Sequence, residues 1–269
     1  MIQISVILLP LCWITLLIAA PRGETVFSRF EPPSGYERVA VQDKGFAAML
    51  RELKLKPEGT NVLSREGKEI LCDDDLAAVI DERPLPTTEN KGAAAVIKLW
   101  GIYRWSKGRT SEISFGLDNG QRASWKDWRD GLRPRMHQGR MLFVQVGVPD
   151  GSQVNYLRYL TFVAENGGPL SLKRDLEVVV PDNLAPGDVI LSSEGNQSRA
   201  ASVLDVCRNP QNGEKLLLLG MGGENGSDIY IPRPYEPVQG EGAWFTIDGA
   251  CYAVGLGQST ALRRFPPNP

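Results

Sequence analysis

Apolar residues recur every three or four positions in several segments of the chain, which is the spacing that places them on one face of a helix. The helices predicted in this way cover residues 46–53, 93–105, 125–128 and 154–164, and Gly131 is expected to close the third. A further helical turn is predicted at 76–80, because the acidic run 73–75 before it is typical of a helix N-cap.

Short apolar runs bounded by Gly, Pro and Asn predict strands. In the first half of the chain these are residues 37–42, a hairpin formed by 62–63 and 70–71, and 113–117. Beyond residue 178 strands predominate, at 188–191, 201–206, 215–219, 228–231 and 244–247. Helices that come early and strands that come late indicate an α+β domain.

The first 20 residues form a separate segment. No side chain is charged from Met1 to Pro21, and residues 4–20 are nearly continuously apolar. A stretch of about 17 apolar residues suits the core of a signal peptide better than a membrane-spanning helix. We therefore expect an exported protein that is periplasmic, secreted or associated with the cell envelope. Because no basic residue precedes the stretch, an uncleaved N-terminal anchor stays open as the only contact with a membrane.

Charge and composition exclude several classes of function. The net charge is −2 with a single histidine, His137, so a dedicated nucleic-acid binder is not expected. The four cysteines form no C-x-x-C motif, and no metal site or cofactor is predicted. Removal of the leader with Cys12 would leave Cys72, Cys207 and Cys251 either packed in the core or as one disulfide and one free thiol.

Several motifs occur together in this chain. R-F-E-P-P-S-G-Y stands at 29–36, L-R-E-L-K-L-K-P at 50–57, W-K-D-W-R-D-G-L-R-P at 125–134 and L-R-R-F at 262–265. The set resembles a family of exported bacterial domains of unknown function, over residues 29–265. Pro-Gly-Asp at 186–188, followed by a strand, a Gly loop and a second strand, is similar to the second half of papain-like amidohydrolases of the NlpC and CHAP types.

The resemblance implies a fold and a domain division. It implies a single domain over 28–265, with an N-terminal part at 28–85 and a papain-like core at 86–265. In that core the helix that begins near Ala93 packs on a small antiparallel sheet from the C-terminal half.

The same resemblance locates two departures from the family pattern. Gly92 stands where the family has the catalytic Cys, and Arg199 stands where it has the His. Glycine has no side chain and arginine stays protonated, so neither replaces a thiolate and imidazole pair. We expect a catalytically inactive domain with a binding or scaffolding role at the envelope, in which Gly92 and Arg199 face each other across a shallow cleft while the cysteines and His137 lie apart.

Two other functions stay open. One is an active cell-wall peptidase or amidohydrolase with a non-standard nucleophile, and the other is a structural envelope protein without a cleft. Candidate ligand-binding residues are Trp125, Trp128, Arg133 and Arg199, which could hold cell-wall glycan or peptide, since tryptophan stacks on sugar rings and arginine pairs with anions. The alternative is that both tryptophans pack one helical face onto the core. The oligomeric state does not follow from the sequence.

Overall fold

The computed structural model describes residues 23–71, 75–88, 93–108, 110, 112–192, 198–238, 242–256 and 259–266. Residues 1–22, with the predicted leader, and Cys72, Asp73, Asp74 and Gly92 lie outside this range. The helices are α1 (Val26–Arg29), α2 (Phe46–Arg51), α3 (Ala94–Ser106), α4 (Trp125–Arg129), α5 (Gln153–Asn166), α6 (Pro169–Asp175) and α7 (Ile247–Gly255). Within the described ranges, no helix is long and apolar enough to cross a bilayer.

The strands lie between and after these helices in the described residues. They are β1 (Glu37–Arg38), β2 (Val62–Leu63), β3 (Glu69–Leu71), β4 (Leu76–Val79), β5 (Ser114–Gly116), β6 (Arg122–Ser124), β7 (Leu132–His137), β8 (Arg140–Gln145), β9 (Glu177–Val178), β10 (Val189–Ser192), β11 (Arg199–Arg208), β12 (Lys215–Gly222), β13 (Ile229–Pro232), β14 (Phe245–Thr246) and β15 (Ala261–Arg264).

One antiparallel sheet organises the fold. Its strands follow the order β4-β13-β12-β11-β10-β15-β9, with β1 paired to β11 and β14 paired to β12. The prediction of α+β architecture is confirmed, but the sheet is larger than the small one expected. It is larger because the N-terminal part adds β1 and β4 to the strands from the C-terminal half. The two parts of the chain therefore share one sheet.

The two faces of this sheet carry different helices. On β11, Leu204 and Cys207 pack in a cluster that includes Ala95 and Leu99 of α3. Val203 and Val206 instead pack in a cluster that includes residues of α7. Helix α5 lies on the far side of α3, where Leu160 meets Gly101. Because α3 is enclosed between the sheet and α5, its first six residues are all buried.

The predicted helices are confirmed for α2, α3, α4 and α5, and so is the hairpin of β2 and β3. The predicted helical turn at 76–80 was wrong. That segment forms β4, since its backbone pairs with Tyr230, Ile231 and Pro232 of β13. The last predicted strand, 244–247, ends after two residues. Thr246 caps α7 there, and its hydroxyl oxygen accepts a hydrogen bond from Gly249 N at 3.0 Å.

A buried carboxylate joins the N-terminal part to the sheet. Asp205 of β11 accepts hydrogen bonds from Arg38 Nε of β1 at 2.8 Å and from Arg51 Nη2 of α2 at 2.6 Å. It also accepts one from the backbone of Val206 at 2.8 Å. Arg51 is the arginine of the L-R-E-L-K-L-K-P motif, so this motif has a structural role in attaching α2 to β11.

We predict that Asp205→Asn lowers the free energy of unfolding by about 3–5 kcal/mol, because it leaves the buried Arg51 guanidinium without a counter-charge and leaves Arg38 with only the exposed Glu31. Urea denaturation measures the change. Asp130→Asn is the matched control, since the Arg129–Asp130 pair is exposed and its loss should have little effect. Equal effects of the two variants would show that the Asp205 ion pairs do not stabilise the fold.

A second prediction concerns two glycines of the β7–β8 hairpin. Gly131 (φ = +103°) and Gly139 (φ = +74°) both have left-handed backbones, but only at Gly131 would a Cβ overlap a backbone atom, the carbonyl oxygen of Gly147. Both alanine variants incur the left-handed penalty of about 1–2 kcal/mol. We expect Gly131→Ala to be the more destabilising in urea denaturation, by about 1–3 kcal/mol. Equal losses would mean that the overlap at Gly131 is relieved without cost.

Candidate functional site

The first turn of α3 and the first residues of β11 lie at the same end of the sheet. A Cβ on Gly223, just after β12, would lie 3.0 Å from the backbone nitrogen of Ala95. Strand β12 runs antiparallel to β11, with Ser202 opposite Gly220. The end of β12 therefore marks the start of β11, and α3 begins beside it.

Arg199 is the first residue of β11 and does not lie on the face that we expected. Ala200 packs in the cluster of Ala93 and Ala94, whereas Ala201 packs in the α7 cluster. Side chains alternate along a strand, so Arg199 belongs to the α7 side of the sheet. The predicted opposition of Arg199 and Gly92 across a cleft required Arg199 to face α3, and Gly92 lies outside the described residues.

The alanines that pack together at this junction carry no functional group. On β11 the helix-facing residue is Ala200, which is fully buried, and α3 opens with Ala93, Ala94 and Ala95. The sequence 89–98 contains no Cys, Ser or Thr. The positions compared with the family's Cys and His thus offer neither a thiol nor an imidazole, whichever of residues 199 and 200 corresponds to the family's His.

The two described cysteines, Cys207 and Cys251, and His137 lie on different elements. Cys207 packs on the α3 side of the sheet, whereas Cys251 of α7 packs on the other side. Burial, together with the nearby Asp205 carboxylate, raises the pKa of the Cys207 thiol to about 12. His137 is exposed at the end of β7. In the described part of the chain, no group of three or more His, Cys, Asp or Glu side chains could hold a metal ion.

Trp125 and Trp128 lie in the core, so the packing alternative accounts for both. Trp125 is 1 % exposed and contacts Tyr156 and Tyr159. Trp128 is 9 % exposed and donates its indole N–H to Asn155 Oδ1 at 3.1 Å. Neither ring offers a free face for a sugar.

Arg133 is held in place by the same cluster. Its guanidinium carbon lies 4.4 Å from the centre of the Trp128 ring, and it donates to the carbonyl oxygen of Trp128 and to Asn155 Oδ1. Burial lowers the pKa of Arg133. The W-x-x-W-x-x-G-x-R-P motif therefore fixes α4 and β7 against α5 and does not present a binding site.

A cleft of about 760 Å³ opens elsewhere, between α2, the C-terminal half of α3 and the end of β15. Its floor consists of the rings of Phe46, Trp100, Tyr103 and Phe265. Trp100 stacks on Phe265 with 4.3 Å between ring centres, and Phe46 meets Trp100 edge-on at 5.0 Å. We call this the aromatic cleft. Since a helix rises about 1.5 Å per residue, Tyr103 lies about 13 Å along α3 from its first turn.

Three cationic side chains line the aromatic cleft: Lys44, Lys107 and Arg264. Arg264 is oriented by Asp188, which is 1 % exposed and accepts from Arg264 Nε at 2.6 Å and from Nη2 at 2.7 Å. This contact raises the pKa of Arg264 further. Arg199 lines neither the aromatic cleft nor any of three further cavities, which lie beside Tyr36, Phe115 and Lys215.

Two residues of this cleft belong to motifs that are visible in the sequence, but the motifs do not show that the two residues meet. Asp188 belongs to the Pro-Gly-Asp motif and Arg264 to the terminal L-R-R-F motif. They meet because β10 pairs with β15, which places Val189 opposite Arg263. That pairing joins residues more than seventy positions apart, and no periodicity in the sequence reveals it.

We predict that Cys207 is unreactive in the folded protein, because its thiol is buried and its pKa is about 12. Iodoacetamide at pH 8 followed by peptide mass spectrometry should find the Cys207 peptide unmodified until guanidinium is added. The peptide of the partly exposed Cys251 serves as the internal comparison and should react first. Modification of Cys207 at the same rate with and without denaturant would contradict the prediction.

Comparison with known proteins gives one match. The profile of the family described as domain of unknown function 4846 covers residues 26–254 of the chain. No curated protein and no solved structure matches it. The matched range spans every element from α1 to nearly the end of α7, including the junction of α3 with β11 and most of the residues that line the aromatic cleft. The chain therefore belongs to this family of domains of unknown function.

Proposed function

We propose that the protein is an exported, catalytically inactive relative of papain-like amidohydrolases that acts by binding at the cell envelope. A helix packed on an antiparallel sheet, with its first turn beside the start of a sheet strand, supports the papain-like part of this proposal. The apolar segment at residues 4–20 supports export.

One observation carries the absence of catalysis. Where α3 begins beside β11, the helix contributes Ala93, Ala94 and Ala95 and the strand contributes Ala200. A papain-like reaction needs a thiolate at the helix and an imidazole on the strand. Alanine can supply neither the nucleophile nor the proton transfer.

The alternative, an active hydrolase with a non-standard nucleophile, finds less support. Cys207 is buried with a raised pKa, and Cys251 lies on the opposite side of the sheet. A thiol nucleophile requires an exposed, low-pKa environment, which Cys207 does not have.

Incubation of the full chain with purified cell-wall fragments tests the proposal by two readouts, retention in the sediment and release of new amino groups or reducing ends. We expect retention without product, because the domain lacks the dyad but keeps a cleft of ligand size. A wall-degrading amidase run in parallel shows that the fragments can be cleaved.

Either of two outcomes would overturn the proposal. Product release that is lost in Cys251→Ser would indicate an active enzyme with an unexpected nucleophile. Absence of both retention and product would remove the binding role and favour a structural envelope protein.

A further inference from the structure

We infer that the aromatic cleft is a binding site for an acidic sugar, a saccharide ring that carries a carboxylate. This inference deepens the proposed binding role and rests on it. The aromatic floor and the cationic rim of the cleft support this ligand class.

The floor of the cleft favours a ligand with a flat apolar face. Trp100, Tyr103 and Phe46 are each partly exposed there, although they belong to one continuous ring cluster with Phe265. Aromatic rings left partly in contact with water are typical of sites that stack the C–H face of a sugar ring. A small inorganic anion would leave this floor uncovered.

The rim of the cleft favours a negative charge. Among the residues that the structure describes, no carboxylate lies within ion-pairing distance of Lys44 or Lys107, and the Lys107 ammonium lies 5.4 Å from the centre of the Tyr103 ring. Arg264 is the third cation, and Asp188 is the only acidic residue among those that line the cleft. The cations thus exceed the acids by two, and a neutral ligand would leave that charge unused.

The guanidinium of Arg264 and the backbone of Lys44 are held in place, which lowers the entropy lost on binding. The ion pair with buried Asp188 fixes the plane of the Arg264 guanidinium. Lys44 has a left-handed backbone (φ = +58°), stabilised by a turn in which Gly45 N donates to the carbonyl oxygen of Gln42 at 3.0 Å. A left-handed conformation is unfavourable for a lysine and is often retained at functional positions. The turn directly precedes α2 and so sets Lys44 beside Phe46.

The size of the cleft agrees with this ligand class. A volume of about 760 Å³ lies within the range of small-molecule sites and accommodates one or two sugar rings. A ring on the aromatic floor would bring its carboxylate to the cationic rim. One molecule then contacts both the aromatic floor and the cationic rim. A neutral sugar would contact only the floor, and a simple anion only the rim.

Matched sugar pairs test the ligand class on the full chain. N-acetylmuramic acid is compared with N-acetylglucosamine, and glucuronic acid with glucose, by isothermal titration calorimetry at low and high salt. We expect each acidic sugar to bind about tenfold more tightly than its neutral partner, and salt to reduce the difference. Equal affinities within each pair, or no binding of any of the four, would overturn the inference.

Single substitutions test the location. Lys44→Ala, Lys107→Ala and Tyr103→Ala should each weaken binding of the acidic sugar by about fivefold. Lys126→Ala is the control, since Lys126 is an exposed lysine of α4 outside the cleft. Arg264 is left unchanged because its loss would strand the buried Asp188. Circular dichroism spectra establish that each variant is folded, and unchanged affinity in all three cleft variants would place the site elsewhere.

Sedimentation with cell-wall fragments separates this inference from the proposed function. Retention that persists in Lys44→Ala combined with Lys107→Ala would contradict the aromatic cleft as the binding site while leaving the binding role intact. If the chain without substitutions is not retained by the fragments, the binding role itself is contradicted. If the double variant alone loses retention, both proposals are supported.

Discussion

The arrangement of the chain depends most on the ion pairs that the buried carboxylate of Asp205 forms with Arg38 and Arg51. A β-bulge between Val203 and Asp205 inserts one residue into β11 and changes the alternation of its side chains. As a result both Leu204 and Asp205 contact the α2 and α3 side, one through apolar packing and the other through Arg51. With Arg38 bound to the same carboxylate, β1 and α2 are fixed to the centre of the sheet, and the position of α2 in turn sets Phe46 in the aromatic cleft.

Periodicity predicted those elements whose formation is locally determined. Helices α2, α3 and α5 have apolar stripes, and α4 has a short one that ends at a glycine which must adopt positive φ. Prediction failed where pairing partners decide the structure. Strand β4 is a four-residue segment that pairs with β13, and its acidic preceding run imitates a helix cap. The β7–β8 hairpin was missed because its arginines interrupt the apolar alternation.

The candidate site likewise has features that follow from the sequence and features that depend on the fold. The single histidine of the chain and the lack of a Cys, Ser or Thr at 89–98 could be read from residue types alone. The face of the sheet on which Arg199 lies could not be predicted, because it depends on the register of β11 relative to its neighbours. The sequence also could not show whether Trp125 and Trp128 are exposed or buried, since a stacking tryptophan and a core tryptophan have the same spacing. The aromatic cleft required the knowledge that residues 44–47, 100–107 and 264–266 converge.

The position of β15 has a consequence for how the protein folds during synthesis. Although it comes late in the chain, β15 lies between β10 and β9 and pairs with both. Until residues 261–264 leave the ribosome, the edge of β10 has no partner on that side. An unpaired strand edge is a template for pairing with other chains. Closure of the sheet on that side therefore requires residues 261–264, and this edge of β10 is the last to be protected from pairing with other chains.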